Sequence, residues 1–230
     1  MALTLPQSGG GTATAVHPPV SAPKQVAFIL DKSGSMSTQR ERVISAFNEF
    51  LNDLKGAQGV SVTFWLTLFD TVVTTPVHGI NVGEVEPLSI PRYVPGGNTA
   101  LYDALGQTLN QMERRLDGDE STPIVVCILT DGQENSSKEF DEKQIREKIA
   151  ALNSRPNWTF TFMGADQDAW VAARLIGIPA MNTMSYDQDQ TADAMWSNSQ
   201  RVTGHLQSSA KKSETLYEGA TDLRKKKGKQ

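Results

Sequence analysis

Two stretches of consecutive apolar residues, Val26-Ala27-Phe28-Ile29-Leu30 and Ile124-Val125-Val126-Cys127-Ile128-Leu129 with Thr130 at its end, interrupt a chain whose other apolar positions recur mostly at helical spacing. Short unbroken runs of this kind predict strands buried on both faces, as in parallel sheets, whereas spacing by three and four predicts helices that bury one stripe. After the first run, Val43, Ala46, Phe47, Phe50, Leu51 and Leu54 predict a helix from about Gln39 to Leu54, with Gly59 beyond its end. Val60 to Phe69 alternates and then becomes nearly all apolar, and Val72 to Val77 follows after only Asp70-Thr71. Those two segments predict a hairpin, with Pro76 putting its second strand at a sheet edge.

An irregular connection, 79–95, leads to a second helical stripe: Leu101, Ala104, Leu105, Thr108, Leu109 and Met112, within a helix expected from Ala100 to Leu116. Beyond the second apolar run come a charged helix, 141–152, turning Ile145, Ile149 and Leu152 inward, and a strand, 158–163. A short helix, 169–176, is stopped by Gly177 and Pro179, and a last short strand is expected at 181–184. Ala192, Met195, Ser199, Val202 and Leu206 share one face of a closing helix, 188–206. Alternating strands and helices in this order predict a doubly wound α/β sheet.

At 230 residues and 38% hydrophobic, the chain can bury one large core. Residues 1–23, with four prolines, three successive glycines and no apolar signal-like segment, have the composition of a flexible linker. The domain is expected over 24–209 and a basic tail over 210–230. From Arg201 onward the net charge is +5, which leaves −9 for the rest. Arg224-Lys225-Lys226-Lys227 lacks interleaved aromatic residues, so a solvated tail is favoured over a nucleic-acid contact. No stretch nears the roughly 20 apolar residues of a membrane span. The lone Cys127 has no partner for an internal disulfide, so a cytoplasmic location is expected.

Asp31-Lys32-Ser33-Gly34-Ser35 follows the first apolar run directly, where a buried strand ends. In open α/β sheets the ligand crevice lies beyond such strand ends, and hydroxyl with carboxylate oxygens suits a hard cation such as Mg²⁺ better than a soft one. Gly34 permits the sharp turn that lets positions 31, 33 and 35 converge. Taken alone, the segment reads equally as a polar cap of the following helix. Two further segments add to it: Gly96-Gly97-Asn98-Thr99, which opens the second helix, and Asp131-Gly132, which ends the second apolar run.

Asp31, Ser33, Ser35, Thr99 and Asp131, in that order and at strand ends, resemble the metal-ion-dependent adhesion site of the von Willebrand factor A domain family, over about Lys24 to Leu206. Asp-Lys-Ser-Gly-Ser-Met and Thr-Asp-Gly look most like stand-alone prokaryotic or phage members. The resemblance implies a Rossmann-like, mostly parallel six-stranded sheet with one antiparallel edge strand and helices on both faces. It implies Mg²⁺ or Mn²⁺ bound directly by Ser33, Ser35 and Thr99, with Asp31 and Asp131 acting directly or through water, and an open position for a protein partner's Glu or Asp. Met36, Gly97 and Glu134 are expected to form the rim, and no oligomeric state is implied.

Catalytic readings find less support. Haloacid-dehalogenase-like phosphatases need a second acid two residues after the first, where this chain has Ser33. His17, His78 and His205 fall in the linker, the edge segment and the terminal helix, with no metal-ligand spacing and no place beside a serine nucleophile. No phosphate-cradling Gly-x-x-x-x-Gly-Lys-Ser/Thr motif occurs. A non-enzymatic binding module is therefore expected. The alternatives are a structural protein whose ion only steadies loops and, more remotely, a metal-dependent phosphoesterase.

Overall fold

The computed structural model describes residues 23–165 and 169–218. Its sheet comprises β1 (Lys24–Asp31), β2 (Val62–Phe69), β3 (Val73–Asn81), β4 (Ile124–Thr130), β5 (Trp158–Ala165) and β6 (Thr183–Tyr186), in the order β3-β2-β1-β4-β5-β6. Every neighbouring pair is parallel except β2 with β3. The predicted hairpin thus lies at one edge, and the exposed alternation of β3 follows from having one neighbour only.

Around the sheet stand α1 (Arg40–Gly56), α2 (Leu101–Leu116), α3 (Glu142–Asn153), α4 (Ala169–Leu175) and α5 (Thr191–Gln207). The alternation of side chains along β1 divides the core in two. Val26, Phe28 and Leu30 pack with α1 and α5, and the Phe28 ring meets Phe47 and Phe50 edge-on at centroid distances of 5.5 and 5.1 Å. Ala27 and Ile29 point the other way, into a layer shared with α2, α3 and α4. With both faces covered, the uninterrupted apolar pattern of β1 and β4 is what burial requires.

From β1 the chain proceeds outward through β2 to β3, then returns and builds β4, β5 and β6 on the opposite side. The β1/β4 boundary is therefore the switch point of the sheet, where loops from both halves part and leave a crevice at the carboxyl ends. Asp31 ends β1 there, and Asp131 follows directly after β4.

Several boundaries differ from the sequence pattern, among them the last strand, expected over 181–184 and found at Thr183–Tyr186. A 3-10 turn, Gly34–Gln39, precedes α1 and leaves Gln39 outside the helix proper; a second, Gln188–Gln190, precedes α5; and β3 runs on to Asn81. Each reflects tertiary contacts that local propensity does not encode. The chain also stays against the body after α5. Tyr217 is fully buried, its hydroxyl donates to Asn198 Oδ1 at 2.6 Å, and Leu216 N–H donates to Asn182 Oδ1 at 2.7 Å. The first residues of the expected tail, 210–218, thus belong to the packed body, while the linker up to Ser21-Ala22 and the lysine-rich end lie outside the described residues. Among the described residues no helix is long and apolar enough to cross a membrane.

Candidate metal centre

Three loops meet over the carboxyl ends of β1 and β4, and their backbones are tied together. Lys32 N–H donates to Phe69 O (2.7 Å), Gly96 N–H to Lys32 O (2.9 Å), Gly34 N–H to Gly97 O (3.1 Å) and Ala100 N–H to Asp70 O (2.9 Å). Lys32 also pairs with Asp70. Gly97 has a positive φ of 67°, and a side chain there would collide with Thr71 Oγ1, which accepts from Asn98 N–H at 2.9 Å. Only glycine meets both demands, so the loop carrying Thr99 approaches the hairpin tip closely.

On this frame the five expected residues come together. Asp31 is fully buried; its Oδ1 accepts from Ser33 N–H at 2.6 Å and its Oδ2 from Thr130 Oγ1 at 2.6 Å. Ser33 Oγ and Ser35 Oγ are 3.0 Å apart, and Ser35 Oγ donates to Asp131 Oδ1 at 2.5 Å. Thr99 is buried, and Asn135 clasps its backbone by accepting from its N–H and donating to its carbonyl, at 2.9 and 3.0 Å. The convergence is measured at Gly132: a carbon added at its Cα would lie 2.9 Å from Thr99 Oγ1, 3.7 Å from Ser35 Oγ and 3.8 Å from Asp31 Oδ2. One point on the third loop thus faces oxygens from the other two, and glycine keeps it clear.

Electrostatically the centre brings two acids together, Asp31 and Asp131. Burial pushes the Asp31 carboxyl up to about 6, against the hydrogen bonds from Thr130 and Ser33, and the nearby Asp131 charge adds to the rise. A divalent cation would reverse that balance, because the same low-dielectric surroundings that penalise a lone carboxylate strengthen its attraction to a dication. Among the described residues no group of three or more His, Cys, Asp or Glu side chains is placed to hold a metal ion. A cation here must draw on hydroxyls, and this donor set, two carboxylates and three hydroxyls, fits a hard oxygen-seeking ion. Ser35, Gly97 and Asn98 are exposed, so the cluster is reachable from solvent.

The rim departs from expectation. Met36 is wholly buried in the α1/α5 layer, because the 3-10 turn carries it inward beneath the loop, and it cannot touch a partner. Glu134 is half-buried and occupied: its carboxylate accepts from the N–H groups of Tyr102, Ser136 and Ser137 at 2.8–2.9 Å, capping the start of α2. Of the three rim residues only Gly97 is exposed.

Several residues at the centre escaped the sequence reading. Thr130 holds Asp31, and Tyr93 donates from its hydroxyl to Asp31 O at 2.6 Å. Gln39, nearly fully buried, donates from Nε2 to Asp131 Oδ2 at 2.7 Å, and its Oε1 accepts from the hydroxyl of Thr191. Gln39 stands four residues before Val43 and so continues the inward stripe of α1, a signal that was available. Thr130, a polar end to an apolar strand beside an acid, was another. Tyr93 lies in an irregular connection without a pattern.

A profile of the von Willebrand factor type A domain matches residues 25–200. No curated protein matches the sequence. Among solved structures, the PilB minor pilin from Streptococcus sanguinis superposes with a TM-score of 0.58 at 13% identity, over 83% of this chain and 63% of the pilin. Proximal thread matrix protein 1 from the mussel byssus, in a structure with a zinc-occupied MIDAS motif, gives 0.54 at 17% identity, over 80% of this chain and 46% of that one. Manganese-loaded Plasmodium vivax TRAP protein gives 0.54 at 17% identity, over 75% and 72%. The chain thus spans less than half of the mussel protein, and identities this low establish a shared fold.

Proposed function

The chain belongs to the von Willebrand factor type A domain family, and from that premise we propose that it is a divalent-metal-dependent protein-binding module. Ser33, Ser35 and Thr99 would hold Mg²⁺ or Mn²⁺ through their hydroxyls, with Asp31 and Asp131 acting directly or through water. The observation that carries this reading is the encirclement of Gly132 by Thr99 Oγ1, Ser35 Oγ and Asp31 Oδ2. Zinc in the mussel protein and manganese in TRAP support a divalent ion on this fold.

Bound there, the ion supplies a Lewis-acidic position for an incoming carboxylate. Two carboxylates only balance the dication, and the neutral hydroxyls leave it electrophilic. The protein's own work is to fix the donors before the partner arrives. Ser35 can donate its proton to Asp131 while turning a lone pair toward the ion, and Thr130 and Ser33 N–H keep Asp31 from rotating away. A partner Glu or Asp entering from the exposed side of Ser35 and Gly97 would complete the coordination.

A binding role is favoured over catalysis because no described histidine stands near the serines, and Lys32 beside Ser33 is paired with Asp70. His78 lies opposite Trp65 on the edge strand β3, two strands from β1, and His205 lies in the last turn of α5 close to Lys24, at the amino-terminal end of β1. The free Cys127 is buried, its thiol pushed up to about 11 by that burial, which leaves it inert and suits a cytoplasmic setting.

Affinity capture from the native host, with Mg²⁺ and with chelator, tests the reading, using Asp31→Ala and Ser33→Ala/Ser35→Ala as controls. A partner should be recovered only with metal and only by the unsubstituted chain, and exchanging its contacting acid for the amide should abolish most of the affinity. Equal recovery in every condition would show that the interaction surface lies elsewhere.

A further inference from the structure

We infer that Gln39, itself oriented by Thr191, is the positioning residue that sets the Asp131 carboxylate for metal binding; the inference rests on the metal-site reading above. Three elements meet in this contact. Asp131 follows β4, Gln39 closes the 3-10 turn before α1, and Thr191 is the first residue of α5. The hydrogen bonds have one consistent direction. Thr191 Oγ1 donates to Gln39 Oε1, so the amide nitrogen must face the other way, where it donates to Asp131 Oδ2 at 2.7 Å and lies 3.4 Å from Met36 Sδ.

Burial makes the arrangement decisive. Gln39 is 1% exposed and Thr191 is 0% exposed, so water does not reach the hydrogen bond between them, while Asp131 is half-buried. A half-buried carboxylate that loses a hydrogen bond from a rigid, buried donor is held less firmly and is freer to turn. Asp131 has its other oxygen on Ser35 Oγ at 2.5 Å, and Ser35 is one of the hydroxyls expected on the ion. Rotation of Asp131 would therefore drag or release Ser35. Gln39 holds the far oxygen still, which leaves Ser35 free to donate to Asp131 and to offer its lone pair to the cation. Outer-layer hydrogen bonds of this kind typically control metal affinity by about 10- to 100-fold.

Thr191 serves to fix which end of the amide faces Asp131. A glutamine turned end for end would set its carbonyl oxygen against a carboxylate and would lose the hydrogen bond that Thr191 Oγ1 donates to Oε1. The start of α5 is thereby part of the metal centre, although it contributes no ligand.

Mn²⁺ titration of the full chain by calorimetry, with thermal melting of the metal-free protein, tests this on Gln39→Met, Thr191→Val and the double variant; both substitutions conserve volume. Gln39→Met should weaken Mn²⁺ binding about tenfold, Thr191→Val a few-fold, and the double variant no more than Gln39→Met alone, since Thr191 acts only through Gln39. Wild-type affinity in Gln39→Met, with a lowered melting temperature, would reduce the contact to a structural one and overturn the inference while leaving the metal site standing. Additive losses would overturn the role of Thr191. Should Gln39→Met fail to fold, Thr191→Val decides alone: unchanged affinity there overturns the inference. Absence of saturable Mn²⁺ binding in the unsubstituted chain, matched by Asp131→Ala, would instead remove the metal-site reading itself and this inference with it.

Discussion

Thr130 Oγ1 donates to Asp31 Oδ2 at 2.6 Å, joining the carboxyl ends of two neighbouring parallel strands through a fully buried acid. The same hydroxyl lies 3.1 Å from Gly132 O, so it has an alternative acceptor. Asp31→Asn should therefore be tolerated: Oδ1 still accepts from Ser33 N–H, and the new amide can donate to a Thr130 hydroxyl turned toward Gly132. Because burial disfavours the charged carboxylate, the variant should stabilise the metal-free protein at neutral pH by about 1–3 kcal/mol. It should at the same time abolish Mn²⁺ binding. Melting and titration of one sample check both, and a loss of stability would mean that the carboxylate has stronger local support than its neighbours supply.

Gly132→Ala probes the converging oxygens from the other side. Gly132 has no positive φ, so alanine meets no backbone strain, but its methyl would stand 2.9 Å from Thr99 Oγ1. Thr99 is buried and must shift. Mn²⁺ affinity should fall by about tenfold or more while the far-UV spectrum stays native. Unchanged affinity would place the cation away from this point.

The fold was readable because its strongest signals are local. β4 coincides with its apolar run, and α2, α3 and β5 lie within one or two residues of their expected limits. That the five candidate residues would come together was readable because they sit at strand ends and loop starts with fixed spacing. What supports them was less so. Gln39 and Thr191 are 152 positions apart, and nothing in either neighbourhood announces the other. Met36 and Glu134 were misplaced for a related reason: both lie beside ligands in sequence, but the 3-10 turn buries the first and the α2 terminus claims the second. Adjacency along the chain says little about facing when the backbone is neither helix nor strand.

His205 gives the protein an acid-sensitive foot. Burial, and secondarily the charge of Lys24, hold its imidazole below the ordinary 6.5, and its Nε2 is buried without a hydrogen-bond partner among the described residues. The folded chain thus resists a proton that the unfolded chain takes up below about 6.5. Stability is full above that pH and falls as the pH drops from there toward the lowered folded value. His205→Gln should flatten this limb of a melting-temperature profile between pH 7 and 5 and leave the value at pH 8 nearly unchanged. A parallel, equally steep profile would assign the acid sensitivity to other groups.

Truncation after Ser209 should unfold part of the domain, whereas truncation after Glu218 should not. The segment between them buries Leu216 and Tyr217 and satisfies polar groups on three elements. Ser213 N–H donates to Thr159 Oγ1 at 2.9 Å, Tyr217 N–H to Met181 O at 2.9 Å, and Tyr217 OH to Asn198 Oδ1 at 2.6 Å. Removing it exposes the apolar surface under two large side chains and strips partners from buried Asn182 and Asn198. A loss on the order of 3 kcal/mol or more follows from those terms together. Residues 219–230 carry Leu223 as their only large apolar side chain among five lysines and arginines, glycines and polar residues, so removing them takes away little apolar surface. Urea titration of the two truncated chains separates the cases. Equal midpoints would show that the 210–218 segment contributes no net stability despite its burial, and would return the domain boundary to the end of α5.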